Sequence, residues 1–206
     1  MAKGLLVDFG GVLTTDVFVA FQEFCQTEGL PPDTVRDRFM QDPAARGLLA
    51  DLETGKLIEA EFERPFAEVL GVAPDGLVDR LFGGMHPDPA MIEAVRAAKS
   101  AGVRTGLLSN SWGPDRYDRS AFPELFDANV ISGEVGMRKP DPAIYALAAE
   151  RMGLPADEIV FVDDLPGNLK PARALGMVTV HHRGAATTIP ELEALLGVRL
   201  RNDAAA

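Results

Sequence analysis

The sequence predicts an α/β fold, a doubly wound parallel sheet with a small helical block inserted after its first strand, and three observations predict it. Short apolar runs rich in β-branched residues alternate with helix-like stretches. From about residue 15 to residue 85 that rhythm stops, giving way to helical patterns without a convincing strand. Each polar cluster of chemical interest stands at or just after a predicted strand end, where open α/β sheets bind their ligands.

The expected strands are Gly4–Asp8, Val103–Ser109, Ala128–Ser132, Ile159–Asp163 and Met177–His181. Ala90, Met91, Ala94, Val95 and Ala98 mark one apolar helical face before the second strand, with Gly102 as the stop. Asp141 followed by Pro142 reads as the N-cap and first residue of a helix carrying Ile144, Tyr145, Leu147 and Ala148. Pro190 reads as the opening of a last short helix, Glu191–Leu196, and the tail 201–206 as frayed. In the central block, Phe18, Phe21 and Phe24 form one stripe and Phe62, Phe66, Val69 and Leu70 another, both read as helix-packing core. A helical block at that point is a lid over the carboxyl ends of the strands.

The chain has 206 residues, 47% hydrophobic and 25% charged, the composition of an ordinary globular protein. With 31 acidic against 20 basic residues the net charge is −11, and no local basic stripe offsets it. Nucleic acid and acidic membranes are therefore excluded as expected partners. No apolar stretch reaches membrane-spanning length, and the N-terminus lacks a signal peptide's apolar and cleavage regions. A cytoplasmic location is the expectation. The only cysteine, Cys25, reads as a small helix residue.

Four clusters carry the chemistry. Asp8-Phe9-Gly10-Gly11 places a carboxylate at a strand tip beside backbone that can turn tightly against a ligand. Ser109-Asn110-Ser111 offers a hydroxyl and backbone N–H groups suited to phosphoryl oxygens. Arg138-Lys139-Pro140-Asp141 holds a lysine where Pro140 fixes the chain. Asp163-Asp164 ends an apolar strand with adjacent carboxylates, which repel unless a cation or hydrogen bonds offset them. Hard oxygens in such a pair point to Mg²⁺.

Together and in this order the four clusters resemble the motifs of the haloacid-dehalogenase-like hydrolase superfamily. The likeness runs from Leu5 to about Val180. The run from Phe161 to Met177 is similar to the N-terminal phosphatase domain of soluble epoxide hydrolase, and the insert after the first motif is similar to the C1-capped branch. The resemblance implies a Rossmann-like core of residues 1–14 and 86–206 and a helical cap of residues 15–85. It implies that Asp8 attacks a phosphoryl group to form an aspartyl-phosphate. Mg²⁺ would be held by Asp8, the Gly10 carbonyl and Asp164, with Asp163 behind them or trading roles with Asp164. Lys139 would steady Asp8, and Ser109 with the Asn110 N–H would bind a small phosphorylated substrate. Asn168 reads as an N-cap for the helix that follows.

Gly10 departs from the family pattern, because phosphatases of this kind usually carry there an aspartate that acts as general acid and base. Its loss implies weakened proton transfer, with aryl or acyl phosphates turned over better than alkyl phosphates. Asp16 is the nearest acid downstream and reads as the cap of the first lid helix; Thr14 and Thr15 have the wrong acidity. Two other readings stand beside phosphatase: a weakly active or non-catalytic binder of phosphorylated ligands or proteins, and a 2-haloacid dehalogenase. The paired acids argue against the latter. Trp112 is expected to pack under the lid, His86 to lie in a hinge, and His181 and His182 to be exposed.

Overall fold

A computed structural model of the protein describes residues 1–113 and 116–201. Five strands, β1 (Gly4–Val7), β2 (Arg104–Ser109), β3 (Ala128–Ile131), β4 (Ile159–Asp163) and β5 (Val178–His181), form one sheet in the order β3-β2-β1-β4-β5. Every pairing is parallel. The order reverses on either side of β1, so the sheet is doubly wound, as the alternating pattern predicts.

Successive side chains of a strand point to opposite faces, and here each face is a separate apolar core. Leu5, Val7, Leu107, Val160 and Val162 pack on one side against α6 (Pro89–Ser100) and α11 (Ala185–Leu196). Leu6, Leu108, Ile159 and Phe161 pack on the other against α9 (Pro142–Met152) and α10 (Pro166–Ala174). Burial on both faces explains why the inner strands read as continuous apolar runs rather than alternating ones.

Register then aligns the chemistry. Val7 pairs with Leu107 on one side and Val162 on the other. Asp8 and Asp163 follow directly and Ser109 stands one residue further along β2, so the three emerge together at the carboxyl edge. The Asp8 N–H continues the ladder to the Val162 carbonyl at 2.9 Å.

Five helices lie between β1 and α6: α1 (Val17–Thr27), α2 (Thr34–Gln41), α3 (Pro43–Glu53), α4 (Glu59–Leu70) and α5 (Leu77–Leu81). Both phenylalanine stripes meet in their shared core. Asp16 caps α1 by accepting from the Phe18 N–H at 2.7 Å, as expected. Where this insert leaves and rejoins the sheet, the chain pairs with itself. Thr15 N–H donates to the His86 carbonyl at 2.8 Å, and Asp88 N–H to the Leu13 carbonyl at 2.8 Å. The two short helices α7 (Phe122–Leu125) and α8 (Ser132–Val135) flank β3. No helix among the described residues is long and apolar enough to cross a membrane.

Three local expectations are corrected. The last helix starts at Ala185, not at Pro190. Burial of Thr188 and Ile189 holds its first turns together, and the carbonyl that loses a donor at Pro190 belongs to the exposed Ala186. Asn168 is no N-cap: α10 begins at Pro166, and Asn168 sits inside it with its amide turned to Asp163. His182 is buried, with its Nδ1 3.0 Å from the Thr188 hydroxyl. Of the tail expected to fray, only Arg201 falls within the described residues.

Candidate active site

Lys139 is the centre of the site. It is 1% exposed, and its Nζ stands 2.7 Å from Asp8 Oδ2 and 2.7 Å from Asp163 Oδ2. Its backbone is held on both sides by one side chain: Asn110 Oδ1 accepts from the Lys139 N–H at 2.8 Å, and Asn110 Nδ2 donates to the Lys139 carbonyl at 3.1 Å. Strand β2 thus sets the position of the lysine. Burial alone would lower the lysine's affinity for its proton, but Asp163 and Asp8 more than offset this and hold it charged, above the usual lysine range.

The two adjacent acids have different surroundings. Asp163 is fully buried, and both of its oxygens are occupied. Oδ1 accepts from Leu165 N–H at 2.8 Å and Asn168 Nδ2 at 3.0 Å, and Oδ2 accepts from Lys139 and from Asn168 at 3.1 Å. Asp164 faces the cavity, and burial with the Asp163 charge pushes its carboxyl up to about 6. Asp8 accepts from its neighbour Phe9 N–H at 2.7 Å; burial raises it well above the usual carboxylate range despite Lys139.

Asp8, Asp163 and Asp164 bring carboxylate oxygens within 4.8 Å of one another. With all three carboxyl groups ionised, one ammonium would leave an excess of two negative charges in a largely buried place, and burial with mutual repulsion raises Asp8 and Asp164 accordingly. A divalent cation fits that deficit and the all-oxygen donor set. Among the described residues the Gly10 carbonyl accepts no hydrogen bond, which leaves it open to such an ion. Gly11, at φ 73°, permits the close approach: a Cβ there would fall 2.5 Å from Asp164 Oδ2.

Ser109 Oγ lies 2.9 Å from the Tyr117 hydroxyl, and the Asn110 N–H has no partner among the described residues. Above this polar floor lies a cavity of about 360 Å³ under the insert. Its walls are mostly aromatic and aliphatic, including Phe18, Phe21, Phe39, Phe82 and Met85. Trp112 lines it too, and also packs under the insert, 4.8 Å from the Phe82 ring and 5.7 Å from Phe39 and Phe62. His86 is exposed at the crossing of the two linkers and lines no part of this cavity.

Residues 2–176 match the family of haloacid dehalogenase-like hydrolases. The chain belongs to that family. It is accordingly a hydrolase, and its five-stranded parallel sheet flanked by helices is the Rossmann-like fold expected. Among relatives of this hydrolase is bifunctional epoxide hydrolase 2 of Sus scrofa, 38% identical over 117 residues, which cover 53% of this chain and 21% of that protein. Another is the sesquiterpene phosphatase astK of Aspergillus oryzae, 34% identical over 118 residues, 56% of this chain and 60% of that one. The chain thus matches only part of these relatives' length. A haloacid-dehalogenase-family enzyme of Bacteroides thetaiotaomicron, solved with magnesium and inorganic phosphate, superposes with TM-score 0.69 at 24% identity, covering 89% of this chain and 95% of that one.

Two residues of this candidate site escaped the sequence reading, Tyr117 and Glu53, and Arg138 figured there only as the neighbour of Lys139. Tyr117 stands in a stretch of sequence without periodicity, and nothing in the sequence marks it. Glu53 left a faint signal, since a carboxylate at the last position of a helix opposes the helix dipole. It ends α3, which starts on the Asp42 cap and Pro43. Gly55, at φ 72°, then lets the chain pass so close to the Gly133 carbonyl that a side chain would overlap it. The Ser132 hydroxyl donates to the Glu53 carbonyl, and the Glu53 side chain enters the cavity 5% exposed. Its Oε2 accepts from Asn110 Nδ2 at 3.2 Å and lies 2.6 Å from Arg138 Nε, whose N–H is not aimed at it.

Burial raises Glu53 to about 7, against the pull of Arg138 and Lys139. A carboxyl raised on folding binds its proton more tightly in the folded state, so its contribution to stability falls as pH rises from about 4.5 to about 7. The loss is up to ~3 kcal/mol. Denaturant unfolding at pH 5 and pH 8 should show a smaller fall for Glu53→Gln than for the wild type. Equal falls would contradict this assignment.

Proposed function

We propose that this hydrolase is a Mg²⁺-dependent phosphatase that attacks through Asp8 and forms an aspartyl-phosphate. The observation that carries the reading is the buried Lys139 ammonium within 2.7 Å of both Asp8 and Asp163. A carboxylate approaching a phosphate dianion meets strong repulsion, so the attack needs fixed positive charge beside it. Asp8, Asp164 and the Gly10 carbonyl would hold Mg²⁺, with Asp163, its oxygens already occupied, behind them. When bound, the ion supplies charge neutralisation at the phosphoryl oxygens.

The other residues have distinct tasks. Lys139 holds Asp8 in place and screens its charge during approach. Asn110 sets the lysine through its side chain and offers its backbone N–H to a phosphoryl oxygen; Ser109 offers its hydroxyl. Asp8 forms the bond to phosphorus, the alcohol leaves, and water then cleaves the phosphoryl–Asp8 bond. The phosphatase name of the Aspergillus relative supports this reading, and so does the magnesium-phosphate complex of the Bacteroides enzyme. The two uncompensated negative charges count against metal-free halide displacement. Release of p-nitrophenol from p-nitrophenyl phosphate should require Mg²⁺ and cease on chelation; full activity in excess chelator would sink the proposal.

The cavity walls extend the proposal to the leaving group. A sugar placed against those rings would lose water from several hydroxyls without gaining partners, at a cost of ~1–3 kcal/mol for each unpaired group. An apolar tail gains instead, by roughly 0.8 kcal/mol per buried methylene. We therefore expect kcat/KM for n-octyl phosphate to exceed that for glucose 6-phosphate by on the order of 10²-fold or more. A competition assay on inorganic phosphate release checks it, and a preference for the sugar phosphate would refute it.

A further inference from the structure

We infer that Glu53, delivered by the insert, is the general acid and base of this reaction, filling the role that Gly10 cannot. The inference rests on the phosphatase reading above. Among the described residues, three acidic side chains line the cavity: Asp8, Asp164 and Glu53. The first two belong to the charge cluster around Lys139, so of these three Glu53 is the acid available for proton transfer.

Its placement suits the task. One oxygen, Oε2, is fixed between Asn110 Nδ2 and Arg138 Nε. The other, Oε1, accepts no hydrogen bond from the described residues. Asn110 belongs to the same turn as Ser109, so Glu53 is anchored beside the proposed phosphoryl donors. The fixation extends to the backbone, through the Ser132 hydroxyl and the close pass of Gly55 at Gly133.

Arg138 and Lys139 do not offset the cost of burying a charge in this position. Burial and the C-terminal end of α3 both disfavour its charge, and an unfavourably placed titratable group inside a cleft points to chemistry. With Glu53 raised to about 7, both of its forms are populated near neutral pH. A group that first gives and then takes a proton requires that.

The steps balance. Asp8 forms a bond to phosphorus as the bond from phosphorus to the leaving oxygen breaks, and the Glu53 proton passes to that oxygen, releasing the alcohol. The resulting Glu53 carboxylate takes a proton from water as the water oxygen attacks phosphorus. The bond from phosphorus to Asp8 breaks, inorganic phosphate leaves, and both carboxyl groups return to their starting forms.

The test compares n-octyl phosphate with p-nitrophenyl phosphate, whose leaving group departs without a proton. Glu53→Gln should lower turnover of the alkyl ester by ~10²–10⁴-fold. With the aryl ester it should release p-nitrophenol in a burst of about one equivalent per enzyme, followed by a slow steady state, because water attack lacks its base. Adding Gly10→Asp to Glu53→Gln should restore alkyl turnover; the new Cβ lies 3.1 Å from Val17 Cγ2, which needs to give only slightly. Equal losses on both substrates without a burst, or unchanged rates on both, would overturn the assignment.

If Glu53→Gln does not fold, the wild type decides. Its kcat/KM should depend only weakly on leaving-group acidity from nitrophenols to simple alcohols, and a steep dependence would show that the site has no acid. A wild type inactive on every phosphate ester with Mg²⁺ would instead remove the phosphatase reading itself. Activity without the Glu53 signature removes this inference alone.

Discussion

Asp8→Asn is expected to reduce phosphate release by on the order of 10⁴-fold or more, because an amide oxygen cannot form the proposed covalent intermediate. Stability should move the other way. Asp8 is buried beside two further carboxylates, and among the described residues Lys139 is the one cation paired with it. The neutral isostere removes one of three negative charges while Lys139 keeps its bond to Asp163 at 2.7 Å. Without metal, the variant's Tm should match or exceed that of the wild type. Inactivity with a preserved or raised Tm would mark Asp8 as chemical, not architectural. Retained turnover of p-nitrophenyl phosphate would remove it as the nucleophile.

Lys139→Met should cost both activity and fold. It leaves Asp8, Asp163 and Asp164 with no cation from the protein, and removing one partner of a buried ion pair typically costs ~3–5 kcal/mol. The methionine fills much of the volume, so the loss is electrostatic. Mg²⁺ should therefore return part of it by binding the folded state. Chemical unfolding with and without Mg²⁺ measures this. The metal-dependent gain should be larger in the variant than in the wild type, and equal gains would mean that ion and lysine do not share the same charge deficit.

The sheet was legible because its inner strands are buried on both faces, which leaves runs such as Ile159–Asp163 that no amphipathic helix produces. The positions of Asp8, Ser109 and the paired acids followed, since parallel register carries strand ends to one edge; Lys139, beyond α8, is brought there by Asn110. Misreadings arose where a local rule met a tertiary demand. Asn168 has the chemistry of a cap, but the lone pairs of buried Asp163 took its amide. His182 follows a strand end, where exposure is usual, yet the Thr188 hydroxyl gave its ring a place inside. Glu53 was hidden for a different reason. Its meaning depends on where α3 stops against α8, a distance across 79 residues of chain that no periodicity encodes.

The pairing of residues 13–15 with residues 86–88 has a consequence for how such a molecule can vary. Everything between those points departs from and returns to nearly one place, so the sheet experiences it as a surface turn whose ends are already joined. Doubling the length of such an excursion costs only ~0.6 kcal/mol of closure entropy. The helical block is thus an exchangeable fitting: another of different size, grafted at the same two points, would change which molecules reach Asp8 without redrawing the strands. Trp112 sets the condition. Its ring follows β2 yet sits among Phe21, Phe39, Phe62 and Phe82, so any replacement must bring an aromatic socket or leave an indole in water.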